Sequence, residues 1–245
     1  MKTIVLAAGY ATRLYPLTRN FPKPLLEIAG KSILDRLLED IDSIPEINEH
    51  IIISNARYYD HFVEWKEKSK LKNPITIIND GSVSNETRLG AVRDIQFAIE
   101  SCSINDDILV VAGDNVIDFS FKSLVDLFKE KNSAVIMCNY EDDIQVLRRG
   151  GVMVPDKDFK VISMEEKPHD PKSNWSVAPF YIYKKSELDL IKKGIEEGCA
   201  TDAPGSFVCW LCTQTDVYAL RSEGMRYDIG TLESYENVKK IFKEK

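Results

Sequence analysis

The sequence predicts an α/β fold built on a doubly wound, mostly parallel sheet, and three observations carry that prediction. Short apolar segments alternate with amphipathic helical ones through the first half of the chain. The first apolar run breaks into a glycine-bearing turn. The 245 residues are enough for one large domain with a substantial core and too few for two comfortable ones. Strands are expected over 3–8, 51–54, 75–78, 108–112 and 134–138, and helices over 32–42, 58–70, 88–100 and 121–131. Ser32 stands three residues before Asp35, as in a capping box, and Ile33, Leu34, Leu37, Leu38 and Ile41 then recur at helical spacing. Such alternation implies helices on both faces of the sheet, and ligands bind such sheets at the carboxyl ends of the strands.

The second half changes texture. Strands expected over 151–154, 160–164, 177–183 and 216–221 are joined by polar turns at 155–158 and 169–172, with helices over 186–197 and 232–242. This reads as a mixed-strand half continuous with the first. It contains no repeat, low-complexity tract or flexible linker.

Composition narrows the partners. Hydrophobic residues make up 44% and charged residues 29%, as in ordinary globular proteins, and the formal net charge is −7. A net acidic chain lacks the broad basic face that nucleic acid or an anionic membrane requires, so positive potential must be local. The first apolar run is short and is followed by Arg13, Arg19 and Lys23 instead of a small-residue cleavage site, so it is read as a strand and the protein as cytoplasmic. Five cysteines without an export signal suggest reduced thiols. Cys209 and Cys212 have redox-motif spacing, but they lie in an apolar run with no second pair, which favours helix packing. The three histidines are scattered, so neither a His-centred triad nor a His metal cluster is supported.

The segment 3–26 carries the chemistry. An apolar strand ending in Ala7-Ala8-Gly9 lets backbone amides approach a ligand, and polyphosphate suits such a turn. Arg13, Arg19 and Lys23 follow on a stretch stiffened by Pro16, Pro22 and Pro24, with apolar residues interleaved that imply packing around the cations. Asp114 follows the strand 108–112 at the carboxyl edge of the sheet, where a carboxylate holds magnesium or serves as a turn residue or helix cap. No Gly-x-Gly-x-x-Gly follows the first strand, which weighs against a dinucleotide-dependent dehydrogenase.

With these residues in view, the chain resembles the nucleotidyltransferases that make nucleotide-activated sugars. That family shows Gly-x-Gly-Thr-Arg-Leu-x-Pro-Leu-Thr followed by Pro-Lys-Pro-Leu, matched here from Gly9 to Leu25. Val111-Ala-Gly-Asp114-Asn115, Glu165-Glu166-Lys167-Pro168 and Tyr227-Asp228-Ile-Gly230-Thr follow in the same order and spacing. Two departures stand out. Ala11 replaces the usual second glycine, and Ala178-Pro179 replaces a frequent Thr-Gly pair. The chain stops soon after Tyr235, so the resemblance is to the short form without a C-terminal extension.

The resemblance implies one Rossmann-like domain over 1–245, with a nucleotide-binding half at 1–135 and an acceptor-binding half at 136–245. The implied reaction joins a nucleoside triphosphate to a sugar 1-phosphate, giving a nucleotide-sugar and pyrophosphate with Mg2+, as in glucose-1-phosphate thymidylyltransferases. Arg13, Lys23, Asp114 and Lys167 would be catalytic, and Asp114 and Asp228 would hold the metal. Leu6, Ala7, Ala8, Gly9, Thr12, Asp80, Asn85 and Gly90 would contact the nucleotide. Asn115, Gly151, Glu166, Lys167, Val177 and Tyr181 would contact the acceptor, whereas Asp118 reads as a solvated loop residue. Ser84-Asn85 resembles an Asn pair of some cytidylyltransferases. CTP or GTP with a heptose phosphate, phosphocholine or a phosphonate therefore stays open, as do a catalytically silent nucleotide-binding regulator and a homodimer.

Overall fold

The computed structural model describes residues 1–243. In chain order its elements are β1 (Lys2–Leu6), β2 (Glu27–Ile28), β3 (Lys31–Ser32), α1 (Ile33–Asp42), β4 (Glu49–Ser54), α2 (Tyr59–Lys68), β5 (Ile75–Asn79), α3 (Ala91–Ser101), β6 (Ile108–Ala112), β7 (Asn115–Ile117) and α4 (Lys122–Lys131). They continue with β8 (Ala134–Tyr140), α5 (Ile144–Leu147), β9 (Gly151–Pro155), β10 (Val161–Glu166), β11 (Trp175–Tyr183), α6 (Leu188–Glu196), α7 (Gly205–Leu211), β12 (Val217–Arg221), β13 (Arg226–Asp228) and α8 (Leu232–Lys243). The α/β alternation is therefore present. No helix among the described residues is long and apolar enough to cross a membrane.

The chain forms two compact units, each assembled from separate stretches. The first comprises 1–88, 112–121 and 224–245, and the second 89–111 and 122–223. In the first unit β1 pairs parallel with β4, and β4 parallel with β5. Helix α1 begins as its sequence dictates. Ser32 accepts a hydrogen bond from the Asp35 amide at 2.9 Å, a cap that contributes about 1 kcal/mol, and Ile33, Leu34, Leu37, Leu38 and Ile41 are all buried. A second apolar cluster joins Leu14, Leu26, Ile28, Ile33, Val116, Ile229, Tyr235 and Val238. The interleaved leucines of the opening loop thus do pack, and they pin that loop to the β7 and β13 region.

The second unit is organised by β11. It pairs antiparallel with β6, β8 and β9, while β9 pairs antiparallel with β10 and β8 parallel with β12. The mixed character expected of the second half is observed. The β11–β8 register shifts between Ala178 and Tyr181, where Pro179 sits. A residue without an amide hydrogen is accommodated at such an irregularity because the ladder is already interrupted there.

Several expected boundaries move by a residue or more, and two of these bear on the site. The first strand ends at Leu6, so Ala7 and Ala8 belong to the turn. The helix expected from residue 88 begins at Ala91, because Gly90 takes a φ of +91° that no regular helix contains. The three-residue strands β7 and β13 were not legible as strands at all.

Candidate active site

Strands β7 and β13 form an antiparallel ribbon with Asn115 opposite Asp228, Val116 opposite Tyr227 and Ile117 opposite Arg226. Alternation sends Val116 and Tyr227 toward the apolar cluster and leaves Asn115, Arg226 and Asp228 together on the other face. Asp114 immediately precedes β7, and its carbonyl accepts the Ile229 amide at 3.2 Å. The ribbon therefore brings the two expected metal aspartates together.

Their surroundings are dense in charge. Asp114 Oδ2 lies 2.6 Å from Lys23 Nζ, and Oδ1 accepts from Asn115 Nδ2 at 2.8 Å. Burial, and then the negative charge of Asp114, raise the Asp228 carboxyl above the ordinary aspartate range, opposed by Lys23, Arg226 and Arg13. The Asp228 side chain is nonetheless open to solvent on one side. Two converging carboxylates, one disfavoured in its ionised form until more positive charge arrives and both offering hard oxygens, fit a hard divalent cation. Among the described residues no cluster of three or more His, Cys, Asp or Glu side chains gathers at one point, so ligand and water oxygens would complete the coordination.

The opening loop supplies the cations unequally. Arg13 is exposed and turned toward the aspartates: a Cβ placed on Gly230 would sit 3.2 Å from Asp228 Oδ2 and 4.0 Å from Arg13 Nη2. Lys23 is buried, as the packing expected around the loop cations implies, and also donates to the Ile229 carbonyl at 2.6 Å. The burial has a plain cause. A carboxylate in this position needs a fixed counter-charge, and the lysine is the nearest one. Ala11 explains why a glycine is usual at its position, since its φ of 46° and ψ of 44° are left-handed.

The expected nucleotide contacts fare unevenly. The Leu6 carbonyl accepts the Gly113 amide, the Ala7 amide donates to the Ile53 carbonyl, and the Ala8 carbonyl accepts from Asn55 Nδ2 at 2.9 Å. These particular groups hold the turn, so a base would be read by what remains at Ala7, Ala8 and exposed Gly9 and Thr12. Both Asp80 oxygens accept from the Ser82 hydroxyl, at 2.7 and 2.9 Å, and Asn85 Oδ1 accepts from Arg88 at 2.9 Å. Gly90 has a packing reason to be glycine. It lies in the second unit, and a Cβ there would come within 2.5 Å of the Thr201 carbonyl oxygen. The amides of Ala91 and Val92, expected to be unpaired at a helix start, donate to the Asp202 and Thr201 carbonyls. Gly90 is a close-packing glycine.

Asn115, expected to meet the acceptor, is buried, with its amide nitrogen engaged by Asp114 and its Oδ1 accepting from Arg226 Nη1 at 2.8 Å. Asp118, expected as a solvated loop residue, is exposed and accepts the Met225 amide at 2.6 Å.

In the second unit the expected acceptor residues do converge. A Cβ on Gly151 would lie 2.5 Å from Met164 Cε, 3.2 Å from Glu166 Oε2 and 3.3 Å from Val177 Cβ. One on Gly205 would overlap the same Glu166 oxygen and lie 3.4 Å from the Tyr181 hydroxyl. Two missing methyl groups thus make the space in which Glu166 sits. Burial raises its carboxyl, with Lys167 opposing and Asp202 adding to the rise. Lys167 is exposed with a left-handed φ of 51° and donates its amide to the Gly150 carbonyl at 2.9 Å. A bulky residue kept in that conformation marks a position the surrounding structure over-determines, as functional sites do. Gly205 and Met164 were missed by sequence reasoning, since neither carries a motif. Cys209 lies on α7, a free thiol pushed up to about 12 by burial, and Cys212 just beyond it is also raised by burial, as packing residues would be.

Comparison with known proteins identifies the family. The nucleotidyl transferase family model matches residues 2–245, and the chain belongs to that family. A protein of Sulfolobus acidocaldarius named "Putative mannose-1-phosphate guanyltransferase" is 32% identical over 195 residues, covering 78% of this chain and 50% of its own length. A glucose-1-phosphate adenylyltransferase of Fervidobacterium nodosum is 26% identical over 95% of this chain and 59% of its own. The chain therefore spans about half the length of the curated relatives it matches. Its fold is shared with the solved "Putative Glucose-1-Phosphate Thymidylyltransferase" of Bacillus anthracis, at a TM-score of 0.81, 22% identity and coverage of 100% and 96% of the two chains.

Proposed function

We propose that this protein transfers a nucleotidyl group from a nucleoside triphosphate to a sugar 1-phosphate, releasing pyrophosphate and forming a nucleotide-sugar in the cytoplasm. The observation that carries the reading is the meeting of Asp114 and Asp228 across one ribbon, with Lys23 and Arg13 beside them. Transfer must overcome repulsion between two polyanions, so fixed cations are needed where charge builds on the leaving group. Arg13 would bind the triphosphate, and Lys23 would hold Asp114 in place. Asp114 and Asp228 would hold magnesium, which would screen the triphosphate and polarise its α-phosphoryl oxygens. No histidine base is required, because a phosphate monoester with its second pKa near 6 is already mostly dianionic at neutral pH.

Roles divide between the two units in this reading. The first would hold the nucleotide, and the second the acceptor, with Glu166 accepting sugar hydroxyls, Lys167 meeting the phosphate and Gly151, Val177 and Tyr181 walling the pocket. Glucose 1-phosphate with a thymidine nucleotide is the leading pair; the adenylyltransferase and thymidylyltransferase names share the glucose 1-phosphate acceptor, and the base follows the motif resemblance. GTP with a hexose 1-phosphate is the second, favoured by the guanyltransferase name. Pyrophosphate release over a grid of triphosphates and phosphorylated acceptors tests both, with turnover expected in a thymidine row and a glucose 1-phosphate column. Nucleotide binding with silence in every cell would reject the enzyme reading in favour of a nucleotide-binding regulator.

A further inference from the structure

We propose that Arg226 is a positioning residue for Asp114, acting through Asn115. This inference rests on the reading of Asp114 and Asp228 as ion ligands. Arg226 Nη1 donates to Asn115 Oδ1 at 2.8 Å, and Asn115 Nδ2 donates in turn to Asp114 Oδ1 at 2.8 Å. The other oxygen of Asp114 is fixed by Lys23 at 2.6 Å. Both oxygens of that carboxylate are therefore held, one by a direct ion pair and one by a two-step relay. The relay has a definite direction. An amide can accept at Oδ1 and donate at Nδ2, so engaging its oxygen with a cation leaves only the NH2 group to face Asp114. Polarisation along such a chain strengthens each bond, and the arginine donor is charged.

Asn115 Nδ2 also lies 3.4 Å from the Ala112 carbonyl, a longer contact that favours the same amide orientation, and Arg226 adds the charged donor on the oxygen side. A buried primary amide can turn over and present its oxygen to Asp114, which would place two acceptors face to face; the guanidinium makes the flipped form unfavourable. Register permits the arrangement only because Arg226 lies opposite Ile117, two residues from Asn115 on the same face of the ribbon. Arg226 also shares that face with Asp228, so its charge could act directly on the second carboxylate. The experiment separates these routes.

Arg226→Met, Arg226→Gln, Asn115→Ala and the Met–Ala double variant are compared in two measurements. One is Mn2+ binding, read by electron paramagnetic resonance with a nucleoside triphosphate and no acceptor. The other is the Mg2+ concentration giving half-maximal pyrophosphate release. Arg226→Met is expected to weaken both about tenfold, the loss of one hydrogen bond to a charged group, with the acceptor KM unchanged. Asn115→Ala should produce the same shift, and the double variant no more than either single. Arg226→Gln, which keeps an N–H donor without the charge, should recover part of the loss; this keeps the test decisive if Asn115→Ala does not fold. Additive effects, or a Gln variant no better than Met, would show that Arg226 acts as a charge on Asp228 and overturn the relay. A fall in melting temperature with unaltered ion dependence would reduce Arg226 to a scaffold residue and overturn it equally. If the unsubstituted protein neither binds Mn2+ nor turns over any triphosphate, the ion-site reading fails and the inference falls with it.

Discussion

The ribbon in the first unit and the glycine-lined pocket in the second solve opposite problems. Around Asp114 the chain brings groups in: Lys23, Asn115 and Arg226 each make a hydrogen bond or ion pair within that network. Around Glu166 it leaves atoms out, since Gly151 and Gly205 provide the room that its carboxylate occupies. A site for small, highly charged groups is made by compensation, because unpaired charge is costly wherever solvent is thinned. In the reading proposed above, a site for a bulkier hydroxylated ligand would be made by shape. Substitutions should therefore act through charge in one region and through volume in the other.

The sharpest way to break this contrast is Lys23→Ala. It leaves Asp114 without its ion pair and the Ile229 carbonyl without its donor, so turnover should fall at least about 10²-fold, with roughly 1–3 kcal/mol of stability lost. Arg13→Ala, at an exposed position, should lower turnover on a similar scale while leaving the melting temperature in place. Equal destabilisation by both, or steady-state turnover untouched by either, would defeat the view that Lys23 serves structure and chemistry while Arg13 serves chemistry alone.

In the second unit, Gly205→Ala should raise the acceptor KM by roughly tenfold with the triphosphate KM unchanged, as Glu166 is pushed from its place. The methyl group meets flexible side-chain ends, so unfolding should shift by only about 1–3 kcal/mol. A variant that moves the triphosphate KM instead would reverse the roles of the two units.

Proton dependence sharpens the same comparison. Because the Glu166 carboxyl is raised in the folded protein, its contribution to folding is fully present below its unfolded pKa and is lost as pH rises through the folded value. Acceptor affinity should run the other way, weakening as pH falls through that raised value and the carboxylate gains a proton. Acceptor KM measured against pH in Glu166→Gln should lose that limb.

Smaller effects are expected from the charge-repelled aspartate and the left-handed alanine. Asp228→Asn removes repulsion from Asp114 and should raise the metal-free melting temperature by roughly 2–4 °C while abolishing the further rise that Mg2+ gives the unsubstituted protein. Ala11→Gly should change stability by no more than about 1 kcal/mol, since relief of the left-handed strain is offset by the entropy glycine loses on folding. A loss of several kcal/mol on denaturant unfolding would mean the Ala11 methyl packs in a way the left-handed turn does not explain.

Much of this was legible in the residues. The capped start of α1, the apolar strands and the packing helix around Cys209 follow from local periodicity and capping chemistry, which act over a few residues. Glu166, Gly151, Val177 and Tyr181 converge where motif order placed them. What escaped was pairing. Strands as short as β7 and β13 have no readable period, so nothing local announces that Asn115 faces Asp228 or that Arg226 reaches Asn115. The packing reason for Gly90 was not legible either, because its contact, the Thr201 backbone, lies more than a hundred residues away.

By itself the sequence determined which segments become strands and helices, the family, and the residue types available for chemistry, because propensity, capping and hydrophobic period are properties of neighbours along the chain. Only the tertiary structure decided that Lys23 is paired with Asp114, that Asn115 stands between Asp114 and Arg226, and that Gly205 makes room for Glu166. Those outcomes depend on desolvation and contact between groups remote in sequence, and burial is a property of the folded chain.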